Sequence, residues 1–133
     1  MGDLDEQTGW GFDTRAVHTG QAPDPSTGAV VTPISLSTTF AQSGVGEHLG
    51  YEYSRSGNPT RTALETCVAS LERATHGLAF ASGLAAEDNV LRLLDPGQRV
   101  VLGNDAYGGT FRLIAKVHAR TGLEWSPADL TAV

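Results

Sequence analysis

One lysine, Lys116, and one cysteine, Cys67, occur in 133 residues, and each shortage closes off a class of protein. A single thiol cannot form an internal disulfide, and no companion ligands stand around it at metal spacing. None of the glycine-rich stretches carries a P-loop lysine or a GxGxxG fingerprint, which argues against a small Rossmann-like nucleotide binder. Cations are scarce, 9 against 15 acids for a formal charge of −6, and they are scattered rather than gathered into the phosphate-neutralising stripe that nucleic-acid binders need. No apolar run of about eighteen residues is present to span a bilayer. The N-terminus, MGDLDEQTGWGFD, is acidic where a secretory leader is basic and then apolar. A cytoplasmic protein with no nucleic-acid or membrane partner is expected.

The chain does have enough apolar residues to fold: 40% are hydrophobic, including two Trp, three Tyr and four Phe. Up to residue 58 it is rich in Gly, Pro, Ser and Thr, with one extended stretch, TPISLSTTF, and reads as an arm. At Asn58 the character changes. Asn58 is a good N-cap and Pro59 suits the first helical position, while Leu64, Cys67, Val68 and Leu71 recur at helical spacing until Gly77 can end the helix. On that face Cys67 reads as an inert core thiol. A strand at LAFA (78–81), a helix from Leu84 to Leu94, the turn Asp95-Pro96-Gly97 and a strand over 99–102 follow. A helix from Gly108 to Thr121 and a strand begun at Leu123-Glu124-Trp125 complete the pattern. Such alternation predicts crossover units on a mostly parallel sheet, of which about three short strands can be placed here. That sheet looks unfinished, since a strand started at the end of the chain leaves edge groups for another polypeptide to pair.

Three segments carry chemistry. In ASGLAAE, small residues between strand and helix leave the N–H groups of Gly83 and Leu84 at a helix N-terminus, where a phosphate can dock. Equally, Ser82-Gly83 can serve only to turn the chain and cap the helix. Tyr53 and Arg55, two apart in an extended segment, would present a hydroxyl and a guanidinium to one anion, or Arg55 is an ordinary surface arginine. Tyr107, in NDAYGGT, follows a predicted strand at the carboxyl end where ligands sit in parallel α/β proteins. Its ring can stack on a flat cofactor or pack under the next helix. On that helix Arg112, Lys116 and Arg120 form a solvated basic stripe opposite Phe111, Ile114 and Val117, and His118 reads as a packed histidine. His18, His48 and His76 have no convincing partners.

Taken in order, RAVHTG, TPISLSTTF, YEYSRSGNPTR, LAFASGLAA and NDAYGGTFR resemble the fold-type I pyridoxal-phosphate enzymes of cysteine and methionine metabolism, among them cystathionine γ-synthase, cystathionine γ-lyase and methionine γ-lyase. The resemblance implies an α/β fold, an incomplete large domain of mostly parallel sheet with flanking helices over 59–133, preceded by an extended arm over 1–58. The implied cofactor is pyridoxal 5'-phosphate, with its phosphate on the N–H groups of Gly83 and Leu84 and its ring under Tyr107. Tyr53 and Arg55 would reach the phosphate in a neighbouring subunit of a homo-oligomer with shared active sites. Glu52 would receive the distal amino group of a cystathionine-type amino-acid substrate, or is a solvated surface acid. The family's cofactor-bonding lysine and the aspartate that pairs with the pyridine nitrogen fall beyond this sequence, so a lysine-bearing C-terminal polypeptide is implied as partner. Glu52 and the Gly108-Gly109 pair, where methionine γ-lyases tend to carry cysteine second, lean the resemblance towards the synthase or γ-lyase.

Overall fold

The structure, a computed structural model, describes residues 9–131. Most of the acidic N-terminal stretch, residues 1–8, and the last two residues lie outside the described ones. The chain divides into two compact units, one ending at Ala79 and the other beginning at Phe80.

In the first unit a short helix, α1 (Phe12–His18), interrupts the arm where the sequence shows no sustained periodicity. Seven residues are too few for a periodic signal, and tertiary contacts hold the helix instead. Arg15 donates to Trp10 O at 3.1 Å and to Ser70 O at 2.9 Å, and Trp10 meets the His18 ring edge-on at 5.9 Å. The extended stretch pairs at its far end. Thr39 bridges Tyr53 antiparallel, Ser54 N–H donates to Thr38 O and Phe40 N–H to Glu52 O. Between the two segments a small hairpin forms from β1 (Gln42–Gly44) and β2 (Glu47–His48).

Helix α2 (Pro59–Leu71) starts as the sequence predicts, with Asn58 Oδ1 accepting from the N–H groups of Thr60 at 2.9 Å and Arg61 at 3.4 Å. It ends six residues before Gly77. Arg73 takes the left-handed conformation at φ 54°, and Ala74 N–H returns to Ala69 O to close the last turn. Gly77 has a different purpose: a Cβ there would collide with the Glu65 carbonyl, so glycine permits the chain to run against the helix. The packed face of α2 also differs from expectation. It meets α1 through small residues, with Cys67 half-buried and its Sγ 3.8 to 3.9 Å from the carbonyls of Ala16 and Arg15. Leu64 and Val68 remain exposed, because among the described residues nothing covers that side.

The second unit opens on residues 80–82 and α3 (Gly83–Leu91), then β3 (Arg99–Gly103), α4 (Gly108–Arg112), a wide π turn (Leu113–Val117), a 3₁₀ turn (His118–Thr121) and β4 (Glu124–Ala128). The predicted single helix from Gly108 to Thr121 is thus three winding types in succession. Each winding lasts only about one turn, too short a run for apolar spacing to distinguish them. Strands β3 and β4 pair in parallel, Arg99 opposite Glu124 through Gly103 opposite Ala128, with the helical segment as crossover. Leu91, Ile114 and Leu123 form the core, packed by Leu94, Val100, Leu102, Leu113 and Trp125. The Phe111 ring meets Trp125 edge-on at 5.5 Å.

The strand expected at 78–81 does not form, and Leu78 and Phe80 are exposed. A strand exists only with a ladder partner, and no described strand offers one to these residues. Parallel sheets are normally covered on both faces, yet Val101, on the face of β3 away from the core, is 61% exposed. Among the described residues no helix is long and apolar enough to cross a membrane.

Candidate functional site

Glu52, Tyr53 and Arg55 belong to the first unit; Gly83, Leu84 and Tyr107 belong to the second. In the first, the backbone between Tyr53 and Gly57 is a turn, not the extended segment that their spacing predicts, because Ser56 N–H and Gly57 N–H both donate to Tyr53 O, at 3.1 and 2.9 Å. The two side chains nevertheless meet. The Arg55 guanidinium lies 4.9 Å from the centroid of the Tyr53 ring, a cation over a π face. Glu52 is exposed and takes a long contact, 3.5 Å, from Ser56 Oγ.

Arg61 is the residue that sequence reasoning missed here. From the first turn of α2 it donates to three successive carbonyls of the turn, Ser54 at 3.2 Å, Arg55 at 3.4 Å and Ser56 at 3.0 Å, and its Nε stands 3.6 Å from Glu65 Oε1. The signal was present: a cation in the first turn of a helix that has no acid there, with a glutamate four residues on.

In the second unit Ser82 caps α3, its Oγ accepting from Ala85 N–H at 3.1 Å and its carbonyl from Ala86 N–H. The N–H groups of Gly83 and Leu84 make no hydrogen bond among the described residues, and a Cβ on Gly83 would meet nothing within 4 Å. The turn-and-cap reading and the anion-dock reading are therefore compatible: the serine satisfies one donor and leaves two without an acceptor among the described residues at the positive end of a helix dipole.

Tyr107 immediately precedes α4 on the carboxyl side of β3, with 73% of its surface exposed. Its ring lies against Gly109, where a Cβ would fall on the ring carbons, so only glycine leaves room for this orientation. It is not packed under the helix. The start of α4 is tied to α3 by Thr110 Oγ1 donating to Glu87 Oε2 at 2.8 Å.

His118, 8% exposed, is a packed histidine as expected, with its Nε2 2.8 Å from Asp88 Oδ1 on α3. Arg92 Nε donates to the other oxygen at 2.7 Å, and these two partners, Arg92 foremost, hold the Asp88 carboxyl below its ordinary pKa. Lys116 is exposed, as are Arg112 and Arg120, as a solvated face requires. His48 Nδ1 accepts from Gly50 N–H, a local turn contact. Among the described residues no cluster of potential ligands could hold a metal ion.

Within the second unit, helix-terminal N–H groups without an acceptor and an exposed ring on a parallel α/β scaffold are of the kind that fits a phosphorylated aromatic cofactor, and the fold is that of the fold-type I pyridoxal-phosphate enzymes. Residues 13–133 match the Cys/Met metabolism PLP-dependent enzymes, and the chain belongs to that family. The family's cofactor is pyridoxal 5'-phosphate. The chain is 53% identical over 121 residues to a probable cystathionine gamma-synthase of Herpetosiphon aurantiacus, covering 91% of this chain and 38% of the relative. To a cystathionine beta-lyase of Coxiella burnetii it is 57% identical, covering 90% and 31%. The crystal structure of metB from Corynebacterium glutamicum superposes with a TM-score of 0.87 at 52% identity, covering 91% of this chain and 32% of that one. The chain thus spans about a third of the length of the relatives it matches.

Proposed function

We propose that this chain is the N-terminal portion of a cystathionine γ-synthase-like enzyme, catalysing γ-replacement on an activated homoserine by cysteine once a lysine-bearing C-terminal part completes it. The observation that carries the reading is the pair of N–H groups on Gly83 and Leu84 left without an acceptor among the described residues, in a chain of pyridoxal-phosphate family membership. The uncovered face of β3 at Val101 supports the need for further polypeptide.

When bound, the cofactor supplies an electron sink for bonds broken at the substrate's α and β carbons. The chain's own residues bind and orient. Gly83 and Leu84 N–H groups would hold the phosphate, and Tyr107 would cover one face of the ring. Tyr53 and Arg55, on the arm of residues 1–58, serve the phosphate in a neighbouring subunit, and Glu52 receives the distal amino group of the amino-acid substrate. Proton transfer requires the lysine of the C-terminal part, because Lys116 sits on a solvated face. Isolated, the chain is inactive; assembled, it is cytoplasmic and homo-oligomeric with shared sites.

A second reading, elimination from cystathionine, is favoured by relatives named beta-lyase and gamma-lyase at 57% and 52% identity. A third, from another class, is a non-catalytic partner of a full-length homologue. Mixing the chain with a separately expressed C-terminal half separates the three. Yellow colour with γ-replacement supports the synthase, and colour with cystathionine cleavage supports the lyase. A colourless complex with an intact homologue supports the interaction protein.

A further inference from the structure

We infer that Arg61 is a positioning residue for the cofactor-phosphate clamp, acting through the backbone of the turn that carries Arg55; this rests on the reading of Arg55 given above. Three successive carbonyls, those of Ser54, Arg55 and Ser56, converge on the two terminal nitrogens of one guanidinium at 3.0 to 3.4 Å. That arrangement fixes the peptide planes on both sides of Arg55. It also places the electron-rich ends of three dipoles around Arg61 and occupies its terminal nitrogens, whereas the Arg55 guanidinium has only its contact with the Tyr53 ring among the described residues.

The placement of Arg61 is otherwise unfavourable. It is the third residue of α2, where the helix dipole repels a cation, and the first turn holds no acid to compensate. Its ion-pair partner Glu65 is itself held, Oε1 accepting from Ala79 N–H at 2.9 Å, so the contact anchors the turn to a helix whose cap is already formed. Lysine could not substitute: an ammonium is a point charge without the planar fork that reaches several carbonyls at once. Tyr53 gains as well, since its carbonyl accepts from Ser56 and Gly57 in the same turn and its ring carries the Arg55 guanidinium.

The test is a double-mutant cycle in the assembled, lysine-containing holoenzyme, with binding of pyridoxal 5'-phosphate and of pyridoxal, which lacks the phosphate, read by visible absorbance. Arg61→Gln is expected to weaken the phosphorylated form about tenfold while leaving pyridoxal within about twofold, and to add less than about twofold to Arg55→Ala. Arg61→Lys should restore only part of the loss. Equal weakening of both ligands assigns Arg61 a general structural role and overturns the inference, as does full additivity with Arg55→Ala. If Arg55→Ala alone leaves cofactor affinity unchanged, the assignment of Arg55 falls and takes this inference with it. That failure is distinct from an effective Arg55→Ala beside a silent Arg61→Gln, which overturns the positioning role alone. Should Arg61→Gln not fold, Arg61→Lys reads the same cycle.

Discussion

The guanidinium of Arg55 rests on the ring of Tyr53, 4.9 Å from its centroid, within a turn in which the N–H groups of Ser56 and Gly57 donate to Tyr53 O. A cation already held on an aromatic face loses less freedom when it meets an anion. Replacing it therefore removes both a charge-assisted contact and the ordering that precedes it. Arg55→Ala is expected to weaken cofactor retention in the assembled protein by roughly 1.5 to 3 kcal/mol, the range for hydrogen bonds to charged groups. Equilibrium dialysis against pyridoxal 5'-phosphate measures it, and unchanged affinity would remove Arg55 from the site.

Gly109 sets the orientation of Tyr107. Adding one methyl at Gly109 places carbon on the tyrosine ring, yet the ring is largely exposed and can swing aside. Alanine also gains about 0.5 to 1 kcal/mol over glycine inside a helix, so Gly109→Ala should leave thermal stability nearly unchanged. What moves is the ring. The visible absorbance maximum of the bound cofactor should shift and its affinity fall, and a variant with the parent's spectrum and affinity would show that Tyr107 does not cover the cofactor.

Much of this was legible in the residues themselves, and the parts that were not share a physical cause. Asn58, Pro59 and Ser82 act locally, so the starts of α2 and α3 could be read directly from the chain. The parallel pairing of β3 with β4 followed from strand and helix alternation. Elements that depend on distant partners were misread. LAFA has strand composition but no ladder partner, and α2 stops at a left-handed Arg73 whose conformation its side chain does not announce. Leu64 and Val68 follow helical spacing, yet the buried side of α2 is set by small residues that admit α1. Of the candidate site residues, Tyr53, Arg55, Gly83 and Tyr107 were visible as motifs. Arg61 carried only a weaker signal, a cation in the first turn of a helix with a glutamate four residues on, and its contacts with carbonyls add nothing to it in side-chain types.

Asn58 joins the arm to the helix. Its Oδ1 caps α2 and its Nδ2 donates to Ser35 O at 3.2 Å, while Thr60 Oγ1 accepts from Ser35 N–H at 2.8 Å and donates to Pro33 O. Asn58→Ala should cost about 1 to 2 kcal/mol, at the upper part of the range for a lost cap because a second contact goes with it. Asn58→Asp keeps the cap and loses only the amide donor, so it should recover most of that. Chemical denaturation of both variants measures the difference. Equal destabilisation would place the main contribution in the Ser35 contact instead.

Asp88 gives the second unit an acid-sensitive joint. Its carboxylate accepts from Arg92 and lies 2.8 Å from the buried His118, and those contacts lower its pKa in the folded chain. In the unfolded chain an aspartate takes up its proton near the ordinary value of about 3.9. Between that value and the lower folded one, the unfolded state binds more protons, so stability rises with pH through this window and is fully present above it. As pH falls through the folded value the contribution disappears. Asp88→Asn should therefore melt below the parent at neutral pH, and the gap should close under acid conditions where both side chains are uncharged. A gap that persists undiminished at the acid end would mean that shape and hydrogen bonding, which asparagine alters at every pH, outweigh charge in joining α3 to the crossover segment.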